Sequence, residues 1–374
     1  MIDLISVTKE YIEQQSRQIR IQDPAVLERT IHAFILLERL ALSRMDFLFK
    51  GGTSLLLLLD RPQRVSVDID IVCQVSREDF EGNLQKWIKK PPFTGWKRDE
   101  RESDREPPTR RHYKVFYNAI FGGLLSPSCV LLDVVEEKSG IDPQYTAKKE
   151  VDCAFLALKG TPSQVRVPFI DAILADKLTA FAPNTTGVHF NNPRLQEDSS
   201  HQVFKQLFDV AQLFDAMSDF TVVRDTYFSV VKKEAEYKGI SNVPQSVLCD
   251  TLQTAFDICT FDKRIKKLPP DYEKYISGGI SKMASDLISG GRFSIPEAKI
   301  AASKAGYLAA SLLTNQNRCL RFRDTEEVRT ELKAHRFQNQ FGILDRIKAN
   351  IESYWYWCEI MKLSEYTNLI LQLK

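Results

Sequence analysis

The chain has 374 residues, more than a single hydrophobic core usually organises, so two domains are expected, with room for a third. Charged residues make up 27% and hydrophobic residues 43%, the balance of an ordinary soluble globular protein. A formal charge of +2 excludes a uniformly basic nucleic-acid binder, so any basic surface must be local.

Residues 26–45 place Leu27, Ile31, Phe34, Ile35, Leu42 and Met45 on one helical face interrupted only by Glu38, and Asp23-Pro24 supplies an N-cap and a first-turn proline. Residues 46–50 predict a short buried strand. After Gly51-Gly52, residues 54–59 are apolar almost throughout, which favours a buried helical segment, because a strand there leaves no room to return the chain. Residues 60–63 read as a loop and 64–73 as a strand. Residues 78–90 carry Phe80, Leu84, Trp87 and Ile88 as a helix closed by Pro91-Pro92. Residues 97–111 are dense in both charge signs and contain Pro107-Pro108. They predict an exposed loop, or else a basic flap reaching for phosphate through Arg110, Arg111 and Lys114. Two strands follow, 113–121 and 128–135, joined at Gly122-Gly123, and 165–169 predicts one more short strand.

From residue 170 the pattern is helical. Ile173, Leu174, Lys177, Leu178, Ala180 and Phe181 fit a helix ending at Pro183; 184–200 is a loop rich in Asn, Thr, Pro and Gly; Val203, Leu207, Phe208, Val210, Leu213 and Phe214 fit the next helix. Further helices are predicted over 220–236, 243–259, 280–288, 296–313, 326–334 and 341–373. The expected architecture is an α/β domain over 1–169 and a helical domain over 170–374, with no repeat period.

Chemistry concentrates in two stretches, Lys50-Gly51-Gly52-Thr53-Ser54 and Arg64-Val65-Ser66-Val67-Asp68-Ile69-Asp70. In an extended chain residues two apart share a face, so Asp68 and Asp70 point together while Val67, Ile69 and Ile71 pack behind them. Two carboxylates on one edge repel unless a cation lies between them, and Mg2+ binds carboxylates together with substrate phosphates. The Gly-Gly-Thr-Ser turn suits backbone amides that approach a phosphate. A carboxylate inside Val-Leu-Leu-Asp133-Val-Val is costly to bury alone. Asp133 is therefore a third candidate acid, or a solvent-facing residue on an edge strand. The pattern predicts a metal-dependent nucleotidyl or phosphoryl transfer site.

Seven scattered cysteines, without a C-x-x-C pair or a histidine at zinc-ligand spacing, predict buried free thiols in a reducing compartment. No apolar run reaches membrane-spanning length and no signal pattern opens the chain, so a cytoplasmic location is expected.

With these residues in order, the chain resembles the polymerase-β-like nucleotidyltransferases. More narrowly, Lys-Gly-Gly-Thr-Ser-Leu followed by Arg-x-Ser-x-Asp-Ile-Asp, over about residues 46–73, resembles the AbiEii family of nucleotidyltransferase toxins, which includes the MenT toxins. Ala175-Asp176-Lys177-Leu178 is similar to that family's Ala-x-Lys-Leu helix, and 205–210 to its basic-Asp-x-x-Asp-Leu helix, with Gln206 where the pattern has its first Asp and Asp209 as the acid that remains.

The resemblance implies an α+β fold with a polymerase-β-like nucleotidyltransferase core, a small mixed sheet with flanking helices, followed by an all-helical C-terminal region that contributes to the nucleotide site. It implies that Asp68 and Asp70 hold one or two Mg2+ ions, and that Asp133 binds the acceptor-side metal or takes the attacking hydroxyl's proton. Lys50 and Gly51, the amides near Gly52 and Thr53, and the hydroxyls of Thr53 and Ser54 would hold phosphates. Arg64 touches phosphate or pairs with an acid, and Ser66 contacts ligand or satisfies local backbone. Lys177 neutralises the triphosphate or is a snorkelling surface lysine, and Asp209 is a further catalytic acid. The implied activity is that of a toxin–antitoxin or phage-defence toxin moving NMP from an NTP to an RNA acceptor, foremost tRNA, with an antitoxin as partner. The alternatives are a protein or small-molecule acceptor, or a nucleotide-binding partner without turnover. The basic clusters 263–267 and Arg318, Arg321 and Arg323 would track an RNA backbone or be solvated faces, and Tyr354, Trp355, Tyr356 and Trp357 would stack bases or fill the core.

Overall fold

A computed structural model describes residues 1–100, 109–121, 128–136, 141–192, 196–241, 243–263, 268–288 and 290–364. The chain divides into two compact units, Met1–Phe169 with Ser285–Gly291, and Ile170–Ala284 with Arg292–Lys374. The turn expected at Gly122-Gly123, the Pro107-Pro108 segment, residues 264–267 of the first basic cluster and the end of the last predicted helix lie outside the described residues.

The first unit comprises α1 (Lys9–Ile19), α2 (Pro24–Leu42), β1 (Phe47–Lys50), α3 (Gly51–Leu58), β2 (Ile69–Cys73), α4 (Arg77–Ile88), β3 (Phe93–Arg98), β4 (Arg110–Tyr117), β5 (Ser128–Val135), β6 (Thr146–Glu150) and β7 (Gln164–Pro168). Its strands form one mixed sheet in the order β3-β4-β5-β2-β1-β7-β6. The Asp23 carboxylate caps α2 by accepting the Ala25 amide at 2.9 Å. Glu38, the interruption in the apolar face of α2, accepts the Ile2 amide at 2.9 Å and so ties down the first residues.

Along β4, Arg111, Tyr113, Val115 and Tyr117 are buried, while Arg110, His112, Lys114 and Phe116 are half-buried. Tyr113 stacks on Phe80 of α4 and Tyr117 on His32 of α2, with ring centroids 5.5 and 3.7 Å apart. These two helices cover one face of the sheet. Arg111 lies on that covered face, where it binds the Glu136 carboxylate and donates to the Val75 carbonyl at 2.7 Å. It is therefore unavailable to a basic flap; Lys114, on the other face, pairs with Asp99 at 2.9 Å.

His32 donates from Nδ1 to the Glu28 carbonyl at 2.8 Å, and burial pushes its pKa down from 6.5 to about 4. The folded state thus binds a proton there less readily than the unfolded chain. The stabilisation is complete above pH 6.5 and is lost as pH falls toward 4, amounting to roughly 2–3 kcal/mol by pH 4.5. Urea unfolding at pH 7 and pH 4.5 should show His32→Phe losing less stability than the parent by about that amount; equal losses would refute the assignment.

Two strands of this sheet escape the sequence pattern, β3 and β6, and both are its edges. An edge strand pairs on one side only and tolerates charge, so Lys97, Arg98, Lys148, Lys149 and Glu150 hide its periodicity. The expected strand over 64–73 is shorter: only Ile69–Cys73 joins the ladder, while Arg64 bridges to Leu287 and the Val65 amide donates to the Asp286 carbonyl at 2.9 Å.

The second unit contains α5 (Ile170–Ala180), α6 (Ser200–Ala216), α7 (Phe220–Lys238), α8 (Gln245–Thr260), α9 (Pro270–Lys282), α10 (Ile295–Leu313), α11 (Glu326–Ala334) and α12 (Ile351–Ser364). Helix α9 corrects the prediction over 280–288: Pro270 starts it ten residues earlier, and Ser285–Gly291 leaves the unit altogether. Alanines 301, 302, 305 and 309 line α10, and at Gly306 an added Cβ would stand 3.1 Å from Ala255 of α8. Tyr354, Trp355, Tyr356 and Trp357 are buried on α12, at most 8% exposed, which makes them core rather than a base-stacking surface. Arg321 donates to the Phe214 carbonyl at 3.1 Å and to that of Met217, closing the end of α6. Arg318 and Arg323 stay exposed. All seven cysteines are free thiols, four of them buried. Among the described residues no helix is long and apolar enough to cross a membrane.

Candidate active site

Glycine decides the local geometry. Gly51 is the first residue of α3, with φ +75°, so the Gly-Gly pair opens the helix instead of preceding it as a separate turn. Its missing side chain is also a matter of space, because a Cβ at Gly51 would overlap the Asp70 carboxylate. At Gly52 a Cβ would stand 2.6 Å from Arg64 Nη2 and 2.9 Å from Ser66 Oγ. The start of α3 is thus pressed against Asp70 on one side and against Arg64 and Ser66 on the other. Helix-start amides point outward there and favour an anion.

Thr53 and Ser54 are fully buried. The Thr53 hydroxyl donates to the Asp68 carbonyl at 2.5 Å and the Ser54 hydroxyl to the Gly51 carbonyl at 2.8 Å. Both hydroxyls therefore brace the backbone, and the Thr53 bond ties α3 to the acidic stretch.

The sheet brings the distant residues in. Antiparallel pairing sets Lys50 of β1 opposite Asp70 of β2; parallel pairing sets Asp70 beside Asp133 of β5; antiparallel pairing sets Asp133 opposite His112 of β4. Residues paired in register project from the same face, so Lys50, Asp70, Asp133 and His112 form one row across four adjacent strands. At about 4.8 Å per strand the row spans roughly 14 Å. It lies on the face that α2 and α4 leave uncovered, with Arg110 and Lys114 on either side of His112 along β4. Asp68, two residues before Asp70, immediately precedes β2.

His112 Nδ1 meets Asp133 Oδ1 at 2.6 Å; the imidazole is 9% exposed and the carboxylate 32%. Asp133 is thus neither buried alone nor on an edge strand, since β5 is interior to the sheet. His112 was absent from the residues expected in the site. Its alternation with Arg110 and Lys114 was a signal, but a strand's own pattern does not say which strand lies beside it.

Among the described residues, no group of three or more His, Cys, Asp or Glu side chains forms a ready-made metal site. Mg2+ does not require one, because it is commonly held by one or two carboxylates completed by water and substrate phosphates. Asp68, Asp70 and Asp133 supply oxygen donors only, beside a helix start suited to phosphate, and that donor set fits Mg2+.

In the helical unit, Lys177 of α5 is buried, and its ammonium lies 3.0 Å from Asp209 Oδ2 and donates to Gln206 Oε1 at 3.0 Å, both on α6. It is not a surface lysine. Gln206 still accepts a hydrogen bond from Lys177 but brings no charge, leaving Asp209, itself 1% exposed, as the pair's anion.

The family model described as nucleotidyl transferase AbiEii toxin, type IV toxin–antitoxin system, matches residues 35–283. No curated protein matches the sequence. Among solved structures, the chain is similar to JHP933 from Helicobacter pylori, at 12% identity and a TM-score of 0.41 over 82% of this chain and 94% of that one. It is also similar to an H. pylori chain provisionally described as a nucleotidyltransferase, at 13% identity and a TM-score of 0.41 over 77% and 93%.

Proposed function

The chain belongs to the AbiEii family of nucleotidyltransferase toxins, and from that premise we propose that it transfers NMP from a Mg2+-bound NTP to an RNA acceptor, foremost tRNA. Nucleotidyl transfer and the toxin–antitoxin context come with the family, which also implies an antitoxin partner. The metal and the RNA acceptor are the proposal. Its main support is the parallel register that sets Asp133 beside Asp70, next to a helix start that only glycine can form.

Asp68 and Asp70 would hold Mg2+, with Asp133 on the acceptor side. When bound, the ion supplies positive charge to the triphosphate and the leaving pyrophosphate. The chain's own part is positioning and charge. Amides at the start of α3, near Gly52 and Thr53, take the terminal phosphates, and Arg64 adds positive charge beside Gly52. Because the Thr53 and Ser54 hydroxyls donate to backbone carbonyls, the phosphates rest on amides. The acceptor hydroxyl oxygen attacks the α-phosphorus; its bond forms as the bond to the bridging oxygen breaks, pyrophosphate leaves with that electron pair, and the hydroxyl proton passes to Asp133.

The test is to incubate the purified protein with each α-labelled NTP, Mg2+ and total tRNA. Label in RNA is the expected result. Label in protein would move the acceptor to the protein class, and NTP binding without transfer would favour a partner that lacks turnover.

A further inference from the structure

We propose that His112 is a positioning residue for Asp133, holding that carboxylate in the orientation that activates the acceptor; this rests on the nucleotidyl-transfer reading of the acid row. A carboxylate on a short side chain turns easily, because its terminal torsion is broad. Asp133 is a third exposed, so packing alone does not hold it. Its Oδ1 is held by His112 Nδ1 at 2.6 Å, and since a carboxylate only accepts, the imidazole donates.

The donor is itself fixed. His112 sits directly opposite Asp133 in the antiparallel ladder, its side chain is 9% exposed, and its carbonyl accepts the Asp99 amide at 2.8 Å. Asp99 in turn pairs with Lys114 two residues along. The row then sets direction. His112 flanks Asp133 on the β4 side and Asp70 on the β2 side. With Oδ1 engaged by His112, Oδ2 is the oxygen that remains for the acceptor hydroxyl, which must lie near the acid pair to reach a phosphate held there. Without the imidazole the carboxylate swings, and the hydroxyl loses an oriented proton acceptor.

The expected kinetic result is a fall in kcat of roughly 10- to 100-fold for His112→Ala, the range for removing the orienting partner of a reactive carboxylate, with KM for the NTP within about twofold. His112→Asn places an amide donor near the position of Nδ1 and should recover most of that loss. Equal defects in both variants, or parent-like turnover in His112→Ala, would overturn the proposal. If instead the acid pair proves dispensable for transfer, the underlying reading of the site has failed. A second measurement needs no turnover. The proton NMR spectrum of the parent should contain a far-downfield exchangeable imidazole N–H resonance that vanishes in both His112→Asn and Asp133→Asn. Its absence from the parent, or survival in Asp133→Asn, refutes the hydrogen bond on which the proposal stands.

Discussion

Replacing the acid pair, Asp68→Ala with Asp70→Ala, should lower NMP transfer by about a thousandfold or more, because the charge that organises the triphosphate would have no anchor. The fold should persist. Asp70 lies beside Asp133 across β2 and β5, and Ile69 and Ile71, which bury β2 in the core, are untouched, so the variant should still unfold cooperatively. Label incorporation in Mg2+, with and without chelator, together with a melting curve, measures both effects. Chelator should bring the parent down to the level of the variant and leave the variant unchanged. Parent-like transfer by the double variant would remove these residues from the chemistry.

Gly51→Ala should damage stability and activity together. The backbone there has φ +75°, a conformation that costs a residue with a Cβ about 1–2 kcal/mol, and the new methyl would overlap the Asp70 carboxylate. The sum is roughly 2–4 kcal/mol of stability, with transfer falling at least tenfold as Asp70 is displaced. Gly82→Ala is the natural control. That glycine sits inside α4 with open space where a Cβ would go, so alanine there should add about 0.5–1 kcal/mol and leave transfer unchanged. If denaturant unfolding ranked the two substitutions alike, the close approach of α3 to Asp70 would be wrong.

The contrast between these glycines shows where local pattern suffices. Gly51 stands out in the sequence because the Gly-Gly pair precedes an apolar helical segment and then an alternating acidic stretch, whereas Gly82 carries no such context. Reading local pattern located β5 at residues 128–135, as a largely apolar run, and singled out Asp133 within it, as a carboxylate costly to bury alone. It failed on β3 and β6, whose polar residues suit sheet edges, and it left Arg111, Arg321 and the Tyr354–Trp357 run with surface roles as live alternatives. Each of those is engaged internally, by Glu136, by the carbonyls closing α6 and by the core of the helical unit. A charge or an aromatic ring looks the same in sequence whether its partner is solvent or a distant backbone.

Local spacing was enough to single out the glycine-led segment and the acidic stretch after it and to separate an α/β part from a helical part, because each depends on neighbours a few residues away. The row from Lys50 to His112 depended on strand order. Asp133 lies 63 positions after Asp70 yet is its partner in parallel register, and His112 comes before Asp133 in the chain but beyond it in the sheet. Pairing across strands is a choice among distant segments, made by burial of one sheet face beneath α2 and α4, and only the folded sheet joins the acids to the histidine that orients them.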